Sequence, residues 1–163
     1  MKRLLRHLFT DHAAARRAFP KPVLRAIGAA ISNGELRHDG ELRFVIEASL
    51  PYSYILGKRP ARSRALDVFS QLRIWDTEHN SGVLVYVMLA DRAVEIVADR
   101  GINARVKERT WQNICAAMQK AFRERQFESG ALAGIEAVSD LLAEHFPPGT
   151  SNPNELPDEP VVL

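Results

Sequence analysis

The chain has 163 residues, 46% of them hydrophobic and 26% charged, enough for one globular domain with a core of its own. A net charge of +2 is too mild for a nucleic-acid binder, and the single cysteine, Cys115, excludes an internal disulfide and suits a reducing, cytoplasmic setting. No run reaches the roughly 18–20 apolar residues that a membrane-spanning helix needs, so a soluble protein is expected.

Residues 1–19, MKRLLRHLFTDHAAARRAF, are basic, with Arg6 and His7 interrupting any apolar stretch of the kind a cleavable signal peptide carries. Leu4, Leu5, Leu8 and Phe9 set against Lys2, Arg3 and Arg6 read as a short amphipathic helix. Such a helix either docks on the domain or gives at most weak contact with a membrane surface. Pro20 and Pro22 separate it from the next segment, and Pro22 suits the first turn of a new helix. Val23, Leu24, Ile27, Ala30 and Ile31 form the stripe of that helix, and Asn33-Gly34 are placed to end it.

His38-Asp39-Gly40 reads as a turn, and Leu42 to Ser49 as a strand with Leu42, Phe44 and Ile46 on its buried face. A loop over residues 50–60 leads to a helix from about Ala61 to Trp75. A strand–helix–strand crossover makes the flanking strands parallel. The run KRPARSR, residues 58–64, carries four positive charges without the aromatic interleaving that supports base stacking, so no specific nucleic-acid binding is expected.

Val83 to Ala90 is apolar on both faces and reads as a central strand. Only Asp91 and Arg92 separate it from a second strand, Ala93 to Ala98, which makes a tight antiparallel hairpin whose turn has neither Gly nor Asn. Two helices follow, capped by Thr110 and Ser129, with stripes on Trp111, Ile114, Cys115, Met118 and Phe122 and on Leu132, Ile135, Val138, Leu142 and Phe146. Residues 148–163, acidic and Pro-rich, are expected to be disordered. The fold class is α/β, a small mixed central sheet flanked by helices on both faces.

Walker, GxGxxG, GxSxG and HExxH patterns are absent, and the five histidines have no zinc spacing. What remains is a set of acids around the hairpin. Hairpin geometry brings Asp76, Glu78, Asn80 and Asp99 to one open edge, and a helix C-terminus just before Asp76 adds negative potential. Their oxygens are hard ligands of the kind calcium or magnesium prefers. Arg100 offers internal compensation instead, so a cation site and a self-neutralised loop both stand. The residues identify no catalytic group and no organic cofactor site.

The stretch NSGVLVYVMLADRAVEIVADRGI, a Trp-bearing helix and then F-x-x-G-x-x-x-G-I resemble the TPM domain. That family is named for a thylakoid lumen phosphatase-like protein, a photosystem II repair protein and a worm receptor modulator. The matching residues are Asn80, Gly82, Val83, Leu84, Asp91, Arg92, Gly101, Phe127, Gly130, Gly134 and Ile135, and the resemblance spans about residues 36–146. It implies a TPM-like α/β sandwich over residues 20–147 and a loop-edge site for a divalent cation. By motif position that site falls on Asp76, Asn80, Asp91 and Asp99. It also implies an acid phosphatase activity found among relatives, and frequent association with membrane-protein partners. The expected function is an accessory or interaction module that binds calcium or magnesium beside a membrane-associated protein partner. The alternative is a divalent-cation-dependent phosphatase in which Arg92 or Arg100 contacts phosphate.

Overall fold

Four short strands and eight helices are seen in the computed structural model, which describes residues 2–149 and 154–163. The strands β1 (Glu41–Glu47), β2 (Gly82–Met88), β3 (Ala93–Ala98) and β4 (Val161–Val162) form one sheet in the order β3-β2-β1-β4. β2 runs parallel to β1, with Val85 beside Phe44, and antiparallel to β3, with Val85 opposite Ile96. A strand with a neighbour on each side and helices on both faces must be apolar at every position, which is what the run from Val83 to Met88 supplies.

The helices are α1 (Lys2–Phe9), α2 (His12–Ala18), α3 (Lys21–Glu35), α4 (Tyr52–Leu56), α5 (Ala61–Gln71), α6 (Arg100–Asn103), α7 (Glu108–Arg123) and α8 (Phe127–His145). Period-two alternation divides them between the faces. Phe44, Val83, Val85 and Val87 pack under α3, α7 and α8, against Ile27, Ile31, Met118, Ile135 and Leu142. Val45, Leu84, Tyr86 and Met88 point the other way, against Ala65, Val68 and Phe69 of α5 and Ile74 beyond it. Full burial of each such side chain contributes about 1.5–3 kcal/mol. On the thicker face, α8 closes on α7 because Gly134 has no Cβ; one added there would collide with the Met118 side chain. On the thinner face, the buried Glu47 at the end of β1 is held by Arg64 of α5, at 2.9 and 3.0 Å, and by the Tyr86 hydroxyl at 2.5 Å.

Several local expectations are corrected by packing. α7 and α8 begin earlier than Thr110 and Ser129, which lie inside their first turns rather than at caps. Glu108 favours the earlier start of α7 through the helix dipole. The start of α8 is fixed by Phe127, which packs with Phe19 and Phe122. The loop over residues 50–60 contains the one-turn helix α4, and α5 stops at Gln71, short of Trp75. Within the basic segment, residues 2–9 and 12–18 form α1 and α2, and the segment docks through the buried His7, Ala15 and Phe19.

The expectation of a disordered tail over residues 148–163 does not hold for its described part. Val161 and Val162 pair in parallel with Val45 and Ile46. The Leu156 N–H donates to Glu41 at 3.0 Å, and Ser32 donates to Asp158 at 2.5 Å. Residues 150–153 lie outside the described set.

Candidate functional site

The open end of the β2–β3 hairpin is built by the loop that precedes β2 and the short helix that follows β3. In the loop, the Thr77 hydroxyl accepts from the Ser81 N–H at 2.9 Å, and Ser81 in turn donates to the Asp39 carbonyl at 3.1 Å. This fixes Asn80 in the left-handed region, φ 51, one of the few non-glycine types that visit it readily. Opposite, Asp99 ends β3 and caps α6: its Oδ1 accepts from the Arg100 N–H at 2.7 Å. The Arg100 Nε donates to Asn80 Oδ1 at 2.9 Å and ties the two segments together. Gly101 makes that closure possible, because a Cβ there would lie 2.7 and 2.8 Å from the carbonyl oxygens of Asn80 and His79.

Of Asp76, Glu78, Asn80 and Asp99, the four expected to converge, Asn80 is tied to the Asp99 segment through Arg100, while Asp76 and Glu78 stand exposed on the same loop. Asp99 Oδ2 is buried and has no hydrogen-bond partner. An acceptor left so costs about 1–3 kcal/mol. Asp99 Oδ2 and the carbonyl oxygens of His79 and Asn80, which close over Gly101, are hard oxygen donors of the kind calcium or magnesium prefers. Side chains alone do not make a closed cage. Among the described residues, no group of three or more His, Cys, Asp or Glu is placed to hold a metal ion.

Asp91 lies at the other end of the hairpin. Its carboxylate accepts from Arg3 Nη2 at 2.7 Å and contacts His7 Nε2 at 3.1 Å. The His7 ring is spoken for on both sides, since its Nδ1 accepts from the Leu50 N–H at 3.0 Å. Burial works to raise the Asp91 pKa, but the Arg3 and His7 hydrogen bonds outweigh it and hold the group below the usual carboxylate range. Arg92, in the same turn, has φ 53 and an exposed side chain. The structure therefore separates Asp91 and Arg92 from Asp99 by the length of the hairpin.

Acids crowd the open end from a direction the hairpin does not reveal. Glu35 of α3 accepts from the Leu42 N–H at 3.0 Å, and burial pushes its pKa up to about 8. Glu41 is raised as well, again chiefly by burial. The tail adds Glu155, whose carboxylate accepts from the Glu78 N–H at 3.1 and 3.2 Å. Asp39 is held by the Gly149 N–H at 2.8 Å. Glu155 and Asp39 are the neighbours that reading along the chain misses. The only signal for Glu155 is the acidity of the tail, which by itself looks like a solubilising flank.

With this geometry in place, likeness to known proteins is informative. The chain is 31% identical to the BA42 protein of the psychrophilic bacterium Bizionia argentinensis, whose NMR structure superposes with a TM-score of 0.76 over 87% of this chain and 93% of that one. The N-terminal domain of a protein from P. gingivalis shares the fold at 21% identity, with a TM-score of 0.56 over 75% of this chain and 80% of that one. No curated protein matches the chain. The family model described as the TPM domain matches residues 18–141, and the chain belongs to that family.

Proposed function

We propose that the protein is an accessory or interaction module that binds calcium or magnesium at the open end of its hairpin. The observation that carries this reading is Asp99 Oδ2, a buried acceptor with no partner, at an end already crowded with acid. Asp99 and Asn80 would hold the ion, and Asp76 and Glu78 lie on the loop that could fold over it, with water filling the remaining positions. A cation supplies there the positive charge that the local carboxylates lack. For the partner, a membrane-associated protein fits the family resemblance. Support comes from α1, which turns Arg3 and His7 inward onto Asp91 and leaves Leu5, Leu8 and Phe9 exposed. Among the described residues no helix is long and apolar enough to cross a membrane.

A divalent-cation-dependent phosphatase at the same end is the second reading, favoured by Arg100, whose guanidinium sits within reach of Asn80. Arg92 is too far from Asp99 to serve in that chemistry. One experiment separates the readings. Thermal unfolding is followed while calcium or magnesium is titrated from zero to millimolar, alongside turnover of 4-nitrophenyl phosphate. The module reading expects a rise in Tm that Asp99→Asn abolishes, with no turnover. A cation at ten times its Kd adds about 1.4 kcal/mol. Metal-dependent turnover lost in Asp99→Asn selects the phosphatase. A melting curve indifferent to both ions overturns the cation site.

A further inference from the structure

At the closed end of the hairpin, a cavity of about 430 Å³ opens between α2, the β2–β3 turn and the α7–α8 junction. That volume lies within the range of small-ligand sites, roughly 300–1,000 Å³. Its apolar part is Leu89 with Phe122 and Phe127, whose rings stack at 5.6 Å between centroids. Its polar part is Gln119 and three arginines, Arg92, Arg123 and Arg125, and among the described residues no acidic side chain lines it. Among the described residues none of the three guanidinium groups has a hydrogen-bond or ion-pair partner. Of the acids adjacent in sequence, Asp91 is already taken by Arg3 and His7, and Glu124, the exposed C-cap of α7 between Arg123 and Arg125, does not line the cavity.

The backbone adds a second observation. Arg92 and Arg125 both sit in the left-handed region, with φ 53 and 60. Arg125 follows the C-cap of α7, and the Gln126 N–H reaches back to the Ala121 carbonyl at 2.9 Å. This is the helix-ending position where glycine is the usual residue. Arg92 closes the hairpin turn, its N–H donating to the Leu89 carbonyl at 3.0 Å. A side chain at such a φ costs about 1 kcal/mol or more. Two independent turns thus carry arginine where glycine is cheaper, and both arginines line one cavity.

We propose that this cavity binds a small phosphomonoester carrying an aromatic or short aliphatic group. The arginines take the phosphate, and the Phe122–Phe127 pair takes the apolar part. Three cations without counter-ions suit a dianion better than a monoanion. Planar guanidinium forks match phosphate oxygens in a way that lysines do not. No carboxylate, histidine or cysteine lines the cavity, so nothing there activates water and the site holds its ligand without cleaving it. β2 has seven residues, so the open end lies about 20 Å away at roughly 3.3 Å per residue, and a cation there does not touch this ligand.

The test titrates the full chain with 1-naphthyl phosphate in the presence of EDTA, which empties any cation site and keeps the result independent of the cation-binding function. Amide NMR and calorimetry are the readouts. Saturable shifts are expected at Arg92, Arg123, Arg125 and Phe127, with binding at least tenfold tighter than for inorganic phosphate or 1-naphthol. Arg125→Gly should raise Tm by relieving the backbone, yet weaken binding at least fivefold, so loss of binding cannot be put down to a damaged fold. Arg123→Gln should weaken it similarly. The proposal is overturned by absence of shifts at these residues, by an Arg125→Gly variant that binds as well as the parent, or by binding to phosphatidylglycerol vesicles without binding to the soluble ester.

Discussion

The two ends of the β2–β3 hairpin carry the same residue pair, Asp-Arg, and treat it in opposite ways. At the closed end the acid is satisfied: Asp91 is gripped by Arg3 and His7, and its neighbour Arg92 is left without a partner. At the open end the arginine is satisfied: Arg100 donates to Asn80, while Asp99 keeps one buried oxygen unpartnered. Burial raises Glu35 and Glu41 at the open end, whereas hydrogen bonds hold Asp91 low at the closed one. The same two side chains therefore mean opposite things electrostatically. What decides is which segment arrives beside them, α1 at one end and the loop that carries Asn80 at the other.

The largest expected effect removes the comparison altogether. Val85 is fully buried in the strand that joins the two ends, and Val85→Asp should cost at least about 4 kcal/mol, because an unpaired charge is not tolerated there. Equilibrium denaturation that matches the parent would mean the sheet order is wrong. Next is Asp91→Asn, which strands Arg3 and His7 and should cost about 2–3 kcal/mol at neutral pH. Hydrogen exchange should then rise across α1 and leave residues 76–82 protected as before. Because the folded pKa of Asp91 is depressed, the parent keeps this contribution above the unfolded value near 4 and loses it only as pH falls below that.

Glu35→Gln tests the acid crowding at the open end. A carboxyl raised to about 8 favours the folded state while protonated, so the parent should lose stability as pH climbs from about 4.5 to 8. The glutamine variant should flatten that limb and be more stable at pH 8 by roughly 1–3 kcal/mol, read from Tm across the pH range. The smallest effect is Asp99→Asn without added cation, expected within about 1 kcal/mol of the parent because the cap to Arg100 survives and a neutral amide replaces a carboxylate at a buried position that has no partner in either. A cost as large as that of Asp91→Asn would erase the asymmetry between the ends.

Much of this frame is legible from local pattern. β1, β2 and β3 announce themselves through alternation or unbroken apolarity, and the hairpin through two intervening residues. The stripes of α7 and α8 are equally plain, though their first turns are set by Glu108 and by the Phe19–Phe122–Phe127 contacts rather than by Thr110 and Ser129. What local pattern cannot carry is pairing across long separations. Arg3 meets Asp91 88 positions away, and Glu155 meets Glu78 77 positions away. β4 has only two residues in a Pro-rich context, too few to show a period. The left-handed turns at Arg92 and Arg125 are invisible for the opposite reason: arginine gives no hint of a φ that glycine would advertise.

β4 also bears on biosynthesis. Among the described residues the outer edge of β1 is paired only by Val161 and Val162, with the Leu163 N–H donating to the Ile46 carbonyl at 2.9 Å. While the chain emerges from the ribosome, the first three strands can assemble long before those residues arrive. During that interval β1 offers Val45 and Ile46 as an unguarded strand edge, the kind of surface on which nascent chains pair with one another.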